Sequence, residues 1–355
     1  MGENLTSKIR DTGIDSFKKY LNQPLQKSFY LSIITINEII VEINNLEQNK
    51  SPGHDEFNAK FLKISHAIIA PILCNIFNLA IKKGEYPDML KIAKVLPIFK
   101  KGSKSLVSNY RPISVLSCIN KIFEKLLAKR IYSFLEKQNI LYEFQYGFRT
   151  GHSTTHALIE ITDRIKLAIN NNELMCGIFL DLSKAFDTVN HKILLSKLEY
   201  YGFRGPVHNL LKSYLTNRKQ YVKIGNHKSE LRQINCGVPQ GSVLGPLLFI
   251  LYINDLHKAC NIGNLRIFAD DTTVFFKCIN INDITSKGTQ VMTHLNEWFK
   301  DNKLTLNSEK SNFIIFRSRQ NKLTNLPDQI NFENACIIRS DSAKYLGVIL
   351  DEHLT

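Results

Sequence analysis

Asp270 and Asp271 interrupt a run of β-branched, aromatic and other apolar residues at 265–276, where core packing has no use for adjacent charges. The flanks read as two short strands meeting at a tight turn, with both carboxylates on its tip. Two carboxylates about 4 Å apart repel by roughly 4 kcal/mol at an effective dielectric near 20, so a site that keeps both ionised needs a cation. Ligation by oxygen alone favours magnesium or manganese. A solvated hairpin turn has the same composition, since Asp is a common turn residue, and the pair alone does not choose between these readings. A third carboxylate, Asp181, ends the continuous apolar run 176–180, which has the form of a buried strand.

Other residue groups carry weaker chemistry. The loop Gly237-Val238-Pro239-Gln240-Gly241-Ser242 is conformationally constrained, and its glycines let backbone approach a ligand closely. Lys100 and Lys101 precede Gly102 in a basic turn that suits a phosphate or plain solvent. His152 and His156 are four residues apart, a spacing that can put two metal ligands on one helix face, but no third ligand accompanies them. The seven cysteines are odd in number and contain no Cys-x-x-Cys pair, which favours a reducing interior over a disulfide framework or a zinc site.

The elements that must position these residues follow from periodicity. Ile36, Ile39, Ile40, Ile43 and Leu46 form one face of a helix over 35–46, opened by a capping box of Thr35 and Glu38. Further helices are expected over 61–82, from Ile119 onward with a basic outer face, near 193–201 closed by Gly202, over 244–256, and around Val291, Leu295, Trp298 and Phe299. Strands are expected at 95–99, 313–317 and 345–350. The 355 residues exceed one ordinary core and predict two or three subdomains. With 44% hydrophobic residues the chain is not disordered throughout, and a formal charge of +14 suits a polyanionic partner. No apolar stretch reaches the roughly 18 residues of a membrane span. Met1-Gly2 begins a formal myristoylation pattern that lacks a second membrane signal and is set aside.

Taken in chain order, several segments resemble the reverse transcriptases of non-LTR retrotransposons, of the LINE type and jockey-like. They are Phe179-Leu180-Asp181-Leu182-Ser183-Lys184-Ala185-Phe186-Asp187, then Gly237 to Pro246, then Phe268-Ala269-Asp270-Asp271. Asn109-Tyr110-Arg111-Pro112-Ile113-Ser114, Gln145-Tyr146-Gly147-Phe148-Arg149 and Tyr345-Leu346-Gly347 extend the resemblance, and Lys50-Ser51-Pro52-Gly53-His54-Asp55 looks like the extra amino-terminal block of this group.

The resemblance implies an α+β right-hand polymerase fold, with an antiparallel palm backed by helices and fingers built from the amino-terminal half. It divides the chain into an amino-terminal extension, 1–78, and a reverse transcriptase domain, 79–355, that stops at the primer-grip hairpin with no room for the helical thumb. It also implies two Mg2+ or Mn2+ ions, an RNA template, a DNA primer and deoxynucleotides, in an intracellular ribonucleoprotein of the nucleus or cytoplasm. Asp181 and Asp270 would hold the metals, Asp271 would assist, and the Leu182 carbonyl would be an extra ligand. Phe186 would lie under the incoming sugar and exclude a 2′-hydroxyl. Gln240 and Gly241 would pack on the nascent base pair, and Lys100 or Lys101 with Arg111 would contact the triphosphate. Lys310 is a candidate general acid for the leaving pyrophosphate, and Tyr345-Leu346-Gly347 corresponds to the primer grip. The rival readings are an RNA-templated RNA polymerase, a maturase or telomerase-like enzyme, and a catalytically incomplete fragment acting only as an RNA-binding module.

Overall fold

Contacts along the chain divide the computed structural model, which describes residues 15–21, 23–321, 323 and 325–355, into two compact units. Among the described residues, one unit comprises 23–140 and 186–251 and the other 15–21, 141–185 and 252–355. The Gly2 pattern lies outside the described residues. Among the described residues no disulfide joins any of the seven cysteines.

In the first unit the expected capping box opens the helix Ile36–Asn44: the Thr35 hydroxyl accepts the Glu38 N–H, and the Glu38 carboxylate accepts the Thr35 N–H at 2.8 Å. The helix expected over 61–82 is instead two, Ala59–Ile64 and His66–Lys83, because Ser65 leaves helical backbone geometry between them. The second ends on Gly84 at φ 69°, the left-handed conformation that glycine adopts without strain. The strand expected at 95–99 spans Ile92–Phe99 and turns back antiparallel into Tyr110–Val115, with Ile98 opposite Arg111. Its other edge runs parallel to Arg218–Ile224. The helix Cys118–Lys137 buries Ile122, Phe123, Leu126, Leu127, Ile131 and Leu135 and, on the same inner side, Glu124.

The second unit is built on a six-stranded sheet. Its order is Gln329–Phe332, Ala335–Arg339, Asn312–Phe316, Leu174–Leu180, Asp271–Cys278 and Asn264–Phe268. All its pairings are antiparallel except that of Ala335–Arg339 with Asn312–Phe316. Leu174–Leu180, buried at every residue, is flanked on both sides, which explains its unbroken apolar character. One sheet face carries Met175, Phe179, Phe275, Ile314 and Phe316, covered by Ile161 and Ile165 of the helix Thr154–Asn170 and by Tyr345. Gly177 lies on this face because any side chain would meet the Phe275 and Phe316 rings, at 2.7 and 2.9 Å from a Cβ. Helix Ile281–Asp301 buries Val291, Leu295, Trp298 and Phe299 as expected, and Gly288 approaches Ile330 closely. The single strand expected at 345–350 is a hairpin of Ser342–Tyr345 and Val348–Asp351. Leu346 and Gly347 form its loop with φ of 48° and 94°, the two left-handed residues of a type I′ turn. An α+β architecture follows from both units together.

Candidate active site

Three carboxylates collect at one end of the second unit's sheet. Leu180 pairs with Thr272, so the next step of the antiparallel register sets Asp181 across from Asp271. Asp270 sits in the two-residue loop between Phe268 and Asp271. The expectation of two carboxylates on the turn's tip is therefore corrected: Asp270 occupies the tip, whereas Asp271 is the first residue of the following strand. The strand register, rather than the turn, brings Asp271 towards Asp181.

Asp181 is held by the segment that carries Lys310, through backbone and hydroxyl contacts that its sequence did not reveal. Its backbone N–H donates to Ser311 Oγ at 3.1 Å, and its carbonyl accepts the Asn307 N–H at 2.9 Å. Ser183 N–H donates to Thr305 O at 2.9 Å, closing a short antiparallel bridge between Leu182 and Leu306. These hydrogen bonds use the carbonyl of Asp181 and leave that of Leu182 outside the bridge. The buried Ser311 hydroxyl in turn donates to Asn307 O at 2.8 Å. Lys310, on the same segment, brings its ammonium to 3.8 Å from the Asp181 carboxylate. Both side chains are well exposed, so this ion pair is screened and contributes little to stability.

Electrostatics single out Asp271. Surrounding protein, then the negative charges of Asp270 and Asp181, push its carboxyl up from 3.8 to about 6. The folded protein therefore holds this proton more tightly than the unfolded chain does. Ionising Asp271 costs stability as pH rises from about 4 through 6, and the cost is complete above 6. Asp271→Asn, which mimics the protonated acid, is expected to raise the Tm at pH 7.5 in the absence of divalent ions. Because the residue keeps an exposed side, the gain is only about 1 kcal/mol, or roughly 1–2 °C for a chain of this length. Thermal melts at pH 7.5 and 5 check this, and a gain that does not shrink at the lower pH would count against the charge argument.

The same crowding is what a divalent cation relieves. Among the described residues no three His, Cys, Asp or Glu side chains are close enough to hold an ion by themselves. Magnesium is ordinarily held by one or two carboxylates completed by water and substrate phosphate, so the donor set fits that ion and not an all-protein cage. His152 and His156 do not share a helix face, because Ser153 caps the helix and leaves His152 outside it. The His152 ring instead packs edge-on against Tyr146.

Tyr345 lies in the core beneath this site, its ring 5.8 Å from that of Phe179. Burial, with Asp271 as a further negative neighbour, keeps its hydroxyl protonated. Leu346 packs at the edge of this core and Gly347 is exposed at the hairpin tip.

The first unit gathers a separate group of the singled-out residues. The Phe186 carbonyl accepts the Val238 N–H at 2.8 Å, and Gln240 Nε2 donates to Asp187 Oδ1 at 3.0 Å, so Phe186 and the Gln240 loop are joined. Phe186 is half-buried, with its ring stacked on Phe249 at 4.4 Å. Gln240 O accepts the Ser114 N–H at 2.7 Å, and Gly241, at φ 116°, lies so close that a Cβ would stand 2.5 Å from Ser114 O. The loop is thus sewn to the strand that carries Arg111. Lys100 and Lys101 project from the tip of the same hairpin, where Lys100 N–H donates to Asn109 O at 2.9 Å, and Arg111 is exposed on its return strand.

Glu124 anchors the far end of this loop. Its fully buried carboxylate accepts the backbone N–H groups of Val243 and Leu244 at 2.5 and 3.2 Å, at the start of the helix Leu244–Tyr252. Asn120 and the Tyr214 hydroxyl complete its partners at 2.8 and 2.9 Å. A negative charge at a helix N-terminus with four donors is well satisfied despite its burial. The only sequence signal for this role was an acidic residue beside Phe123 on the apolar face of its helix.

Residues 98–350 match the family described as reverse transcriptase (RNA-dependent DNA polymerase). The chain is 34% identical over 343 residues, 94% of its length, to the probable RNA-directed DNA polymerase from transposon BS of Drosophila melanogaster. It is 33% identical over 96% of its length to the corresponding protein of transposon X-element, and 31% identical over 95% to that of the mobile element jockey, both from the same fly. It spans 38%, 38% and 37% of those three relatives.

Proposed function

Because the chain belongs to the reverse transcriptase family, on its non-LTR retrotransposon branch, we propose that it is an RNA-directed DNA polymerase that extends a DNA primer on an RNA template with deoxynucleotides. The observation that carries this reading is the meeting of Asp181 with Asp270 and Asp271 at one sheet end, where burial and then the charges of Asp270 and Asp181 raise the Asp271 pKa. In this reading Asp181 and Asp270 hold two magnesium or manganese ions, Asp271 assists, and the Leu182 carbonyl adds a ligand. When bound, the ions supply activation of the primer 3′-hydroxyl and neutralisation of the charge on the leaving pyrophosphate.

The remaining roles belong to the chain's own side chains. Ser311 and Asn307 fix the backbone of Asp181. Lys310 is a proton source for the pyrophosphate, and its pairing with Asp181 supports that role. Phe186 blocks a 2′-hydroxyl, while Gln240 and Gly241 pack on the nascent pair. Lys100, Lys101 and Arg111 bind triphosphate oxygens, a task for which the guanidinium fork is suited. Tyr345, Leu346 and Gly347 support the primer grip. The +14 charge provides an electrostatic track for template and primer, and we place the protein in a ribonucleoprotein of the nucleus or cytoplasm. Among the described residues no helix is long and apolar enough to cross a membrane.

The test is extension of a DNA primer on an RNA template with deoxynucleotides or ribonucleotides, in magnesium or with chelator. Deoxynucleotide-selective extension that chelator abolishes is expected, and it should weaken steeply as salt is raised. RNA binding with no extension under any of these conditions would overturn the proposal in favour of a binding module.

A further inference from the structure

The loop that carries Asp270 is held from outside by the segment Gln145-Tyr146-Gly147, whose role the functional reading leaves open. Tyr146 N–H donates to Ile267 O at 2.8 Å and Ile267 N–H donates to Phe144 O at 3.0 Å, so this segment runs parallel along the strand before the loop. The side chain of Gln145, 2% exposed, then reaches the loop itself. Its amide oxygen accepts the Gly147 N–H at 2.9 Å and the Ala269 N–H at 3.2 Å.

Ala269 needs that support. It is the first of the two loop residues and has φ of 57°, the position of a type II′ turn that favours glycine. Gly147 presses on the same residue from the side, since a Cβ there would stand 2.3 Å from Ala269 N. A carbonyl with two lone pairs and the reach of a glutamine meets both N–H groups at once. A shorter amide would not span the gap, and an apolar side chain of equal size would leave two buried donors unpaired.

We propose that Gln145 is a positioning residue for the metal-binding loop: by holding the Ala269 N–H it keeps the loop in its left-handed form and sets the direction of the Asp270 carboxylate. The inference rests on the reading of Asp270 as a metal ligand. Magnesium demands near-ideal octahedral geometry, so a small rotation of one carboxylate is felt as weakened metal affinity.

The test compares wild type, Gln145→Met, Gln145→Glu and Asp270→Asn by amide hydrogen exchange and by magnesium titration of single-nucleotide incorporation, normalised to active sites. In Gln145→Met the Ala269 amide should exchange at least about tenfold faster, while Val274 and Phe275 in the adjoining strand stay protected. Half-saturation by magnesium should rise about 10- to 100-fold, as for loss of other groups that orient a metal ligand. The apparent KM for primer–template should stay within about twofold, because substrate binding away from the metals is untouched. Gln145→Glu keeps the acceptor and should restore protection of Ala269. A role confined to folding would lower the Tm and the active fraction without moving magnesium half-saturation per active site. Should Gln145→Met fail to fold, Gln145→Asn gives the same readouts with the amide withdrawn by one methylene. Wild-type exchange and wild-type magnesium dependence in the folded variant, alongside an inactive Asp270→Asn, would overturn this inference alone. An active Asp270→Asn would overturn the reading of the site and the inference with it.

Discussion

Asp270→Asn is expected to lower magnesium-dependent primer extension by about 10^3-fold or more, and Asp181→Asn to do the same. The magnitude follows from losing a ligand that supports several kcal/mol of transition-state charge stabilisation. Asn keeps the shape of Asp while removing its charge, so the fold should persist. The two substitutions also remove like charge from the neighbourhood of Asp271, whose pKa both carboxylates help to raise. The apo Tm should therefore hold or rise while activity disappears. Loss of activity accompanied by a large fall in Tm would instead mean that the aspartates are structural.

Phe186→Ala is expected to have the second largest effect, on nucleotide choice. The Phe186 ring is fixed on one face by Phe249 at 4.4 Å and keeps part of its surface open, as expected of a side chain that must stay rigid beside a ligand. Removing it should raise ribonucleotide incorporation relative to deoxynucleotide about 10- to 100-fold, measured as the ratio of the two kcat/KM values. Loss of the half-buried ring should also cost about 2 kcal/mol of stability, read in the denaturation midpoint. An unchanged ratio in a folded variant would leave Phe186 as a packing residue only.

Locally patterned features were legible in the sequence. Leu174–Leu180 is apolar throughout because it is covered on both faces and flanked by two strands, and the Thr35–Glu38 capping box needs only four consecutive residues. The acidic hairpin was legible as a turn, but the separation of Asp271 from its tip was not. That depends on which residue opposes Phe268, a register fixed by pairing between strands and not by composition. Edge strands such as Gln329–Phe332 escaped notice because their exposed residues are polar and their buried ones few. The helix expected over 61–82 breaks at Ser65, where no proline or glycine gave warning.

The supporting residues were the least legible. Glu124 acts on backbone 119 residues away, at Val243, and Ser311 on Asp181 at a separation of 130. Gln145 meets Ala269 across 124 residues. Each is an ordinary polar residue within its own segment, and its task exists only once distant backbone groups need an acceptor or a donor. The catalytic candidates differ in kind: charges inside apolar runs are locally anomalous, which made Asp181, Asp270 and Asp271 visible before any fold was known.

In the proposed function these three carboxylates serve metal-dependent DNA synthesis on RNA. Single-nucleotide extension of a DNA primer annealed to an RNA template, titrated with magnesium in parallel for wild type and Asp270→Asn, tests it most directly. The wild type should incorporate the complementary deoxynucleotide in a saturable, magnesium-dependent manner, and the variant none above background. Equal incorporation by both proteins would contradict it.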